Sequence, residues 1–205
     1  LIPMIQKAFG SDDLNFEVTA ADGDTIQAGE VFITVTGRQD KILLIERILL
    51  NFLQRLSGVA TTTKRFVERI APYGVNFLDT RKTSPGLRQL EKYATACAGG
   101  YNHRMGLYDR ILIKDNHFAA ASIGSLDKIA SFLEGIRLRN PKAFIEVEVD
   151  SLDQFSEVVS SGVNAALLDN FSPDQIKQAV EMNLQRIALE ASGGINEVTL
   201  ESYAQ

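Results

Sequence analysis

The chain has 205 residues, of which 45% are hydrophobic and 23% charged, and this is the composition of an ordinary globular protein. Its net charge of −5 argues against nucleic-acid binding, which needs an extended basic surface. The sequence contains no run approaching the roughly 20 apolar residues of a membrane span, so we expect no membrane partner.

Cysteine content and the start of the chain give two further expectations. Cys97 is the only cysteine, which excludes an intrachain disulfide and favours a cytoplasmic location. We expect its thiol to be a small buried group. The chain begins with "LIPMIQKAFG", a helical pattern without an initiator methionine, so we expect further residues upstream.

Residues 16–36 predict two short strands around turns. The turns fall at Asp22-Gly23-Asp24 and at Ala28-Gly29. This hairpin resembles those of lipoyl and biotinyl carrier domains. The turn has no lysine to accept a cofactor, so a carrier function is disfavoured.

A helical pattern covers residues 39–70. Its apolar residues recur at the 3.6-residue spacing of one helix face. They are Ile42, Ile45, Leu49, Phe52, Leu53 and Leu56. We expect Gly58 to divide this segment into two helices.

From residue 75 onward, predicted strands alternate with predicted helices. The strands are Val75 to Leu78, Ile111 to Ile113, Phe144 to Val149, Ala165 to Leu168 and Arg186 to Glu190. The helices lie near 87–97, 125–139, 152–161 and 173–182, and another begins near Glu197. Ser172, Pro173 and Gln175 form a strong helix-start signal. Such alternation predicts parallel strands, in a doubly wound sheet or in a barrel.

The segment "FIEVEVD" favours the barrel. Alternation along a strand puts Ile145, Val147 and Val149 on one face and acidic residues on the other. A doubly wound sheet has helices on both faces and would need both to be apolar. Carboxylates on one face are better explained by a polar barrel interior.

Polar residues follow each predicted strand, where β/α barrels place their active sites. Grouped by strand, they are Asp79, Arg81 and Lys82; Lys114, Asp115 and Asn116; Glu148 and Asp150; Asp169 and Asn170; and Glu190, Ser192, Gly193 and Gly194. Single residues of this kind are usually solvated, but their recurrence after five strands predicts a ligand site.

The residue types indicate an anionic ligand. Seven cationic residues lie between positions 81 and 114 against two acidic ones, and among them Arg81, Lys82, Arg104 and Lys114 suit carboxylate or phosphate oxygens. The zone is small within an acidic protein, so a compact ligand fits better than a polymer. His103, flanked by Asn102 and Arg104, is a candidate hydrogen-bond donor to an anionic ligand.

Three further features complete the candidate site. Glu148 and Asp169 offer the hard oxygen ligands that Mg²⁺ prefers. The segment "ASGGI", after a strand and before a helix, is typical of a phosphate-binding turn. For His117, a helix cap and a packing role stay equally open.

Several long motifs resemble those of quinolinate phosphoribosyltransferases. They are "ERILLNFLQRLSGVAT", "LDTRKTSPGLRQLEKYA", "GGYNHRMGLYDRILIKDNH", "IEVEVDS", "LLDNFSP" and "LEASGGI". The resemblance implies an α/β fold with an incomplete, open β/α barrel preceded by part of an N-terminal α/β sandwich domain. We expect the sandwich portion with its linking helices at 1–72 and the barrel portion at 73–205, the chain lacking family segments at both ends.

The resemblance also implies an enzyme of NAD biosynthesis. It would join quinolinate to phosphoribosyl pyrophosphate with Mg²⁺ and yield nicotinate mononucleotide, pyrophosphate and CO2. The subunits would form a homodimer, or a higher oligomer, with shared active sites.

The resemblance implies roles for particular residues. Those near the quinolinate carboxylates would be Arg81, His103, Arg104 and Lys114, with Arg47 reaching in from the partner subunit. Those near the ribose, pyrophosphate and metal would be Lys82, Glu148 and Asp169, and those at the 5′-phosphate would be Ser192, Gly193 and Gly194. Lys82, Lys114, Glu148 and Asp169 would be catalytic, and Glu148 and Asp169 would hold Mg²⁺ directly or through water.

Three other interpretations stay open from the sequence. One is the molybdenum-transport-associated relative of this family, and another is a phosphoribosyltransferase acting on nicotinate or another aromatic carboxylate. The third is a non-catalytic anion-binding module.

Overall fold

The computed structural model describes residues 2–9, 14–123 and 127–205. They divide into two compact units, which are described separately. The first contains the described residues up to Ala71 together with Asn76–His103. The second contains Pro72–Val75 and the described residues from Arg104 to Gln205.

The first unit combines a hairpin with three helices. Its elements are α1 (Ile2–Phe9), β1 (Leu14–Val18), β2 (Ile33–Gly37), α2 (Gln39–Ile70) and α3 (Arg88–Cys97). The strands β1 and β2 pair antiparallel, which confirms the predicted hairpin. Its apolar cluster is formed by Ile5, Leu14, Ile45 and Leu49. One stripe of α2 therefore packs on α1 and the hairpin, as the 3.6-residue spacing predicts.

Helix α2 runs through Gly58 without a break, so the predicted division into two helices is wrong. A glycine inside a helix costs about 1 kcal/mol relative to alanine. Apolar contacts on both sides outweigh this cost: Leu49 is buried before Gly58, and Phe66 stacks on Phe77 after it, with ring centroids 5.4 Å apart.

Gly23 explains the first predicted turn. Its φ is +97°, and a Cβ built there would lie 2.6 Å from the backbone oxygen of Cys97. Only glycine combines this φ with so close an approach of two backbones. Cys97 itself is partly buried.

The second unit is built on a four-stranded parallel sheet. Its strands, β3 (Ile111–Ile113), β4 (Ile145–Val149), β5 (Ala165–Asp169) and β6 (Ala188–Ser192), lie in sequence order. The helices of this unit are α4 (Asp115–Ala120), α5 (Asp127–Arg139), α6 (Leu152–Val158), α7 (Pro173–Asn183) and α8 (Leu200–Ala204). Sequential order without a reversal is that of a β/α barrel wall and not of a doubly wound sheet, which confirms the predicted fold class.

Two predicted strands need correction. Val75 to Leu78 forms no strand; only Leu78 makes a parallel bridge, with Tyr101. The strand predicted at Arg186 to Glu190 begins two residues later, at Ala188. The predicted start of the helix at 125–139 lies outside the described residues, and the helix is described from Asp127.

The faces of β4 follow the predicted alternation. Ile145, Val147 and Val149 are at most 1% exposed and lie in the apolar core of this unit with Phe155 and Val158. The capping box of α7 is also present, because Ser172 Oγ accepts from Gln175 N–H and Gln175 Oε1 accepts from Ser172 N–H. Among the described residues, every helix is too short or too polar to cross a bilayer.

Candidate active site

The predicted polar residues of the second unit lie at the carboxyl edge of its sheet. Register places Ile113 opposite Val147, Glu148 opposite Leu167, and Asp169 opposite Ser192. Lys114 directly follows Ile113. Parallel pairing therefore brings a cation, two carboxylates and the serine of the glycine turn to one edge, as the sequence predicts.

Lys114 and Glu148 form an ion pair between two neighbouring strand ends. Lys114 Nζ donates to Glu148 Oε2, and the two side chains are 39% and 15% exposed. The backbone N–H of Lys114 donates to His117 Nδ1 at 2.9 Å. His117 is therefore a helix cap for α4, which decides the question left open by the sequence.

Asp169 lies at the centre of a second group of contacts. Its Oδ1 accepts from Ser192 Oγ at 2.9 Å, and its Oδ2 accepts from the Asn170 side-chain amide at 2.8 Å. The backbone N–H of Asn170 donates to the backbone oxygen of Ser192 at 2.8 Å. Both oxygens of this half-buried carboxylate are thus oriented by the neighbouring turn.

The glycine turn after β6 has a backbone that other residues rarely adopt. Gly193 and Gly194 have φ of +90° and +68°. A Cβ at Gly193 would lie 2.2 Å from Asn170 Oδ1 and 2.8 Å from its backbone nitrogen. Glycine is therefore required at 193 by both conformation and space, and is favoured at 194 by conformation alone.

Arg104 begins a loop that is fixed by one acidic side chain. Arg104 is buried, being 9% exposed. Asp109 accepts from the backbone N–H groups of Met105 at 2.7 Å and Gly106 at 3.0 Å. These bonds hold the pKa of Asp109 below its usual value. The loop after Arg104 is thereby held in one conformation.

Arg110 and Glu146 form a buried contact near the start of β4. Glu146 is fully buried, and Arg110 Nη1 lies 3.7 Å from its Oε2. The guanidinium also lies over the Phe144 ring, 4.4 Å from its centroid. Glu146 thus belongs to the acidic face predicted from the alternation in β4.

The first unit contains Arg47, Arg81, Lys82 and His103. Arg47 and Lys82 are exposed, Arg47 on α2 and Lys82 after Leu78. Arg81 Nε is buried and has no hydrogen-bond partner within the described part of the chain. A guanidinium nitrogen in this state suits an anionic ligand.

The sequence did not predict a role for Lys92, which is buried in the first unit beside the segment that carries Arg81 and Lys82. Lys92 is 1% exposed, and its Nζ lies 2.5 Å from Asp79 Oδ1, which also accepts from the His103 backbone N–H at 2.9 Å. The motif "LDTRKTSPGLRQLEKYA" contains both Asp79 and Lys92, but its many polar residues are typical of an exposed helix and do not indicate that Lys92 is buried.

Sequential parallel strands, with a lysine, carboxylates and a glycine turn at their carboxyl ends, are typical of a β/α protein with an anion-binding site. Two family models match the chain: quinolinate phosphoribosyl transferase, N-terminal domain, over residues 2–57, and the C-terminal domain of the same family over residues 59–205. The chain therefore belongs to the quinolinate phosphoribosyl transferase family.

Curated relatives carry names of the same kind. The "Probable nicotinate-nucleotide pyrophosphorylase (carboxylating)" of Bacillus subtilis is 40% identical, with 97% of this chain and 67% of that protein covered. The nicotinate-nucleotide pyrophosphorylase (carboxylating) of Mycobacterium leprae is 38% identical, with 98% and 70% covered.

Solved structures agree with this membership. The nicotinate-nucleotide pyrophosphorylase of Francisella tularensis has a TM-score of 0.91 at 35% identity, covering 98% of this chain and 70% of that one. NadC of Streptococcus pyogenes has a TM-score of 0.89 at 37% identity, covering 98% and 71%. Both compact units of this chain thus have counterparts in solved structures.

Proposed function

We propose that this chain transfers the phosphoribosyl group of phosphoribosyl pyrophosphate to quinolinate, with loss of CO2, giving nicotinate mononucleotide and pyrophosphate. The observation that carries the proposal is the series of strand ends in the second unit, where Lys114 and Glu148 form one pair and Asp169 contacts the Ser192 turn. Names of the relatives support the same reaction, since they include pyrophosphorylases described as carboxylating.

Four cationic or hydrogen-bond-donating side chains would bind quinolinate, which is a dicarboxylate. They are Arg81, His103, Arg104 and Lys114. Arginine can bind a carboxylate through two parallel hydrogen bonds, and lysine provides a point charge. Burial of Arg104 and of the Arg81 Nε supports this role, because a weakly solvated guanidinium binds an anion more strongly than an exposed one.

Polar groups at the other strand ends would bind phosphoribosyl pyrophosphate. Backbone N–H groups around Ser192, Gly193 and Gly194 would receive the 5′-phosphate, because a turn with positive φ can direct successive N–H groups at one anion. Lys82 is exposed and would bind the pyrophosphate.

Glu148 and Asp169 are the residues that would hold Mg²⁺. Both residues lie at the carboxyl ends of neighbouring strands and are half-buried, which fits a hard cation with oxygen ligands. Both already accept hydrogen bonds, so coordination through water is as suitable as direct coordination. A bound Mg²⁺ would neutralise charge on the departing pyrophosphate.

The reaction needs charge stabilisation more than proton transfer. As the pyridine nitrogen bonds to the anomeric carbon, the bond from that carbon to pyrophosphate breaks and its electron pair leaves with pyrophosphate. The anomeric carbon becomes cationic, as in glycoside cleavage, and the carboxylates of Glu148 and Asp169 would stabilise it. Lys82 and Lys114 would stabilise the negative charges of the leaving group and of quinolinate.

Loss of CO2 follows from the same bond formation. The ring nitrogen becomes cationic, and its charge stabilises the electron pair that stays on the adjacent ring carbon when the bond to the carboxylate breaks and CO2 leaves. That carbon then uses the pair to take a proton from water. The chain's contribution is to hold the two substrates in line, so positioning supplies much of the rate.

A homodimer with shared active sites is part of the proposal. Arg47 is exposed on α2 and would reach the dicarboxylate of the partner's site. The cytoplasmic location predicted from the single cysteine stays a prediction.

The substitution Arg104→Ala tests the assignment of the dicarboxylate. We expect it to weaken quinolinate binding by about 1.5–3 kcal/mol, roughly 10- to 150-fold, because a charge-assisted contact is lost. Binding of phosphoribosyl pyrophosphate should change by no more than about twofold. Titration calorimetry measures both affinities, and Arg139→Ala, at an exposed arginine of α5, is the matched control. Equal weakening of both ligands would contradict the assignment.

A further inference from the structure

We infer that Lys92 is a positioning residue for recognition of the dicarboxylate: from inside the first unit it fixes the segment that carries Arg81 and Lys82. This inference rests on the proposed function and adds to it a residue that touches neither substrate. The segment in question is Asp79–Ser84, hereafter the cationic segment.

Lys92 holds the beginning of the cationic segment. Its Nζ lies 2.5 Å from Asp79 Oδ1, and the lysine side chain is only 2% exposed. The same Asp79 oxygen accepts from the His103 backbone N–H at 2.9 Å. With its amide nitrogen turned toward this group, Asn102 donates to Asp79 Oδ2 at 2.8 Å and to the Lys92 oxygen at 3.0 Å. One carboxylate thus joins the cationic segment to the residues beside His103.

The preceding residue, Glu91, holds the other end. Its Oε2 accepts from the Ser84 backbone N–H at 3.2 Å, and its Oε1 accepts from Arg55 at 2.7 Å. Burial of Glu91 raises its pKa, but the hydrogen bonds from Ser84 and Arg55 lower it further, so that the carboxyl is held below its usual value. Glu91 is therefore a charged acceptor at the end of the cationic segment.

The middle of the segment is also held by α3. Arg88 donates to the Arg81 backbone oxygen at 3.4 Å and to Thr83 Oγ1 at 3.3 Å. Three residues of the first turns of α3, Arg88, Glu91 and Lys92, thus contact the beginning, middle and end of one short segment. This leaves the Arg81 and Lys82 side chains to meet a ligand.

A role in positioning explains why the ion pair is buried. A buried pair usually adds little to stability, because removing both charges from water costs about as much as their attraction returns, and apolar replacements are often neutral or stabilising. Lys92 cannot reach a ligand in solvent, since it is 1% exposed and already bonded. What it does provide is a fixed place for Asp79 and hence for Arg81.

The test compares Lys92→Met with the wild-type chain. We expect the KM for quinolinate to rise about tenfold, because a loosened Arg81 binds the carboxylates more weakly. Backbone amide hydrogen exchange of Arg81–Ser84 and of His103 should become faster in the same variant. Ile5→Ala is the matched control, since it opens the apolar cluster of the same unit away from this segment. It should lower stability without changing KM or that exchange.

A second variant keeps the test decisive if the first does not fold. The double variant Asp79→Asn with Lys92→Met contains no unpaired buried carboxylate at position 79, while an amide oxygen there remains for the His103 N–H. The same rise in KM and in exchange is expected. A folded variant with unchanged KM and unchanged exchange of Arg81–Ser84 would overturn the inference. If the wild-type chain shows no turnover, the proposed function fails, whereas exchange still decides the positioning role.

Discussion

Gly193 gives the sharpest test of the turn that follows β6. In Gly193→Ala a methyl group would lie 2.8 Å from the Asn170 backbone nitrogen and closer still to its side chain. Gly194→Ala meets nothing within 4 Å, although its φ is also positive. Comparing the two substitutions therefore separates the loss of stability caused by the positive φ from the loss caused by the close contact with Asn170.

The expected losses of stability follow from these contacts. A left-handed backbone costs alanine about 1–2 kcal/mol, and this is the whole effect expected for Gly194→Ala. In Gly193→Ala, Asn170 must also move, and it bonds to Ser192 and to Asp169 at 2.8 Å each. At about 1 kcal/mol for each bond, Gly193→Ala should lose about 3–4 kcal/mol.

Urea unfolding followed by circular dichroism measures both losses. The variants should differ by about 2 kcal/mol, with Gly193→Ala the less stable. Equal unfolding free energies, or a larger loss in Gly194→Ala, would refute the argument from close approach. Asp169 should also lose its orientation in Gly193→Ala, so turnover should fall more in that variant.

Three further predictions concern pH, the core and the dimer. The pKa of Glu91 is lowered by folding, so this carboxylate stabilises the folded chain fully above its ordinary pKa of 4.5, and the stabilisation is lost as the pH falls through the lower pKa of the folded chain. The difference in unfolding free energy between wild type and Glu91→Gln should therefore shrink from pH 7 toward pH 3.5 in urea titrations. A constant difference would contradict this. Phe155 is 0% exposed, so Phe155→Ala should lose about 3–5 kcal/mol in the same assay, against less than about 0.5 for Leu138→Ala at a 75% exposed site; similar losses would count against this core. Arg47→Ala and Arg104→Ala chains, assayed at a quinolinate concentration too low to support turnover by either variant alone, should when mixed regain about a quarter of wild-type activity if each site uses both subunits. No recovery in proven mixed dimers would exclude shared sites.

Local signals in the sequence predicted much of this fold. The α7 cap depends on neighbouring residues, Ser172 and Gln175, and its geometry is as expected. Alternation in β4 correctly separated the apolar from the acidic positions, because a strand presents successive side chains to opposite faces, although Glu146 on the acidic face is also buried. Strand ends could likewise be predicted, since parallel strands bring their carboxyl ends to one edge.

Errors occurred where distant contacts decide the structure. Gly58 lowers helix propensity locally, but packing of Ile45 and Leu49 before it, and of Phe66 and Ile70 after it, keeps α2 continuous. The segment Val75 to Leu78 has strand-forming residues, yet only a single bridge forms. Propensity is a weak signal that tertiary contacts often override.

Buried charge was the other feature beyond sequence reasoning. Lys92 lies in a helix rich in polar residues, where a solvated lysine is the ordinary expectation. Its burial depends on Asp79, 13 positions earlier, and on the His103 N–H that the same carboxylate accepts. Such a network requires the position of three separate segments to be known.

The most direct test of the central claim is product formation by the purified chain, checked by intact mass, with phosphoribosyl pyrophosphate and Mg²⁺. Parallel reactions contain quinolinate or nicotinate, and nicotinate mononucleotide and CO2 are measured. We expect nicotinate mononucleotide with an equal amount of CO2 from quinolinate, and none from nicotinate. Product from nicotinate alone, or no product from quinolinate with folded protein, would contradict this expectation.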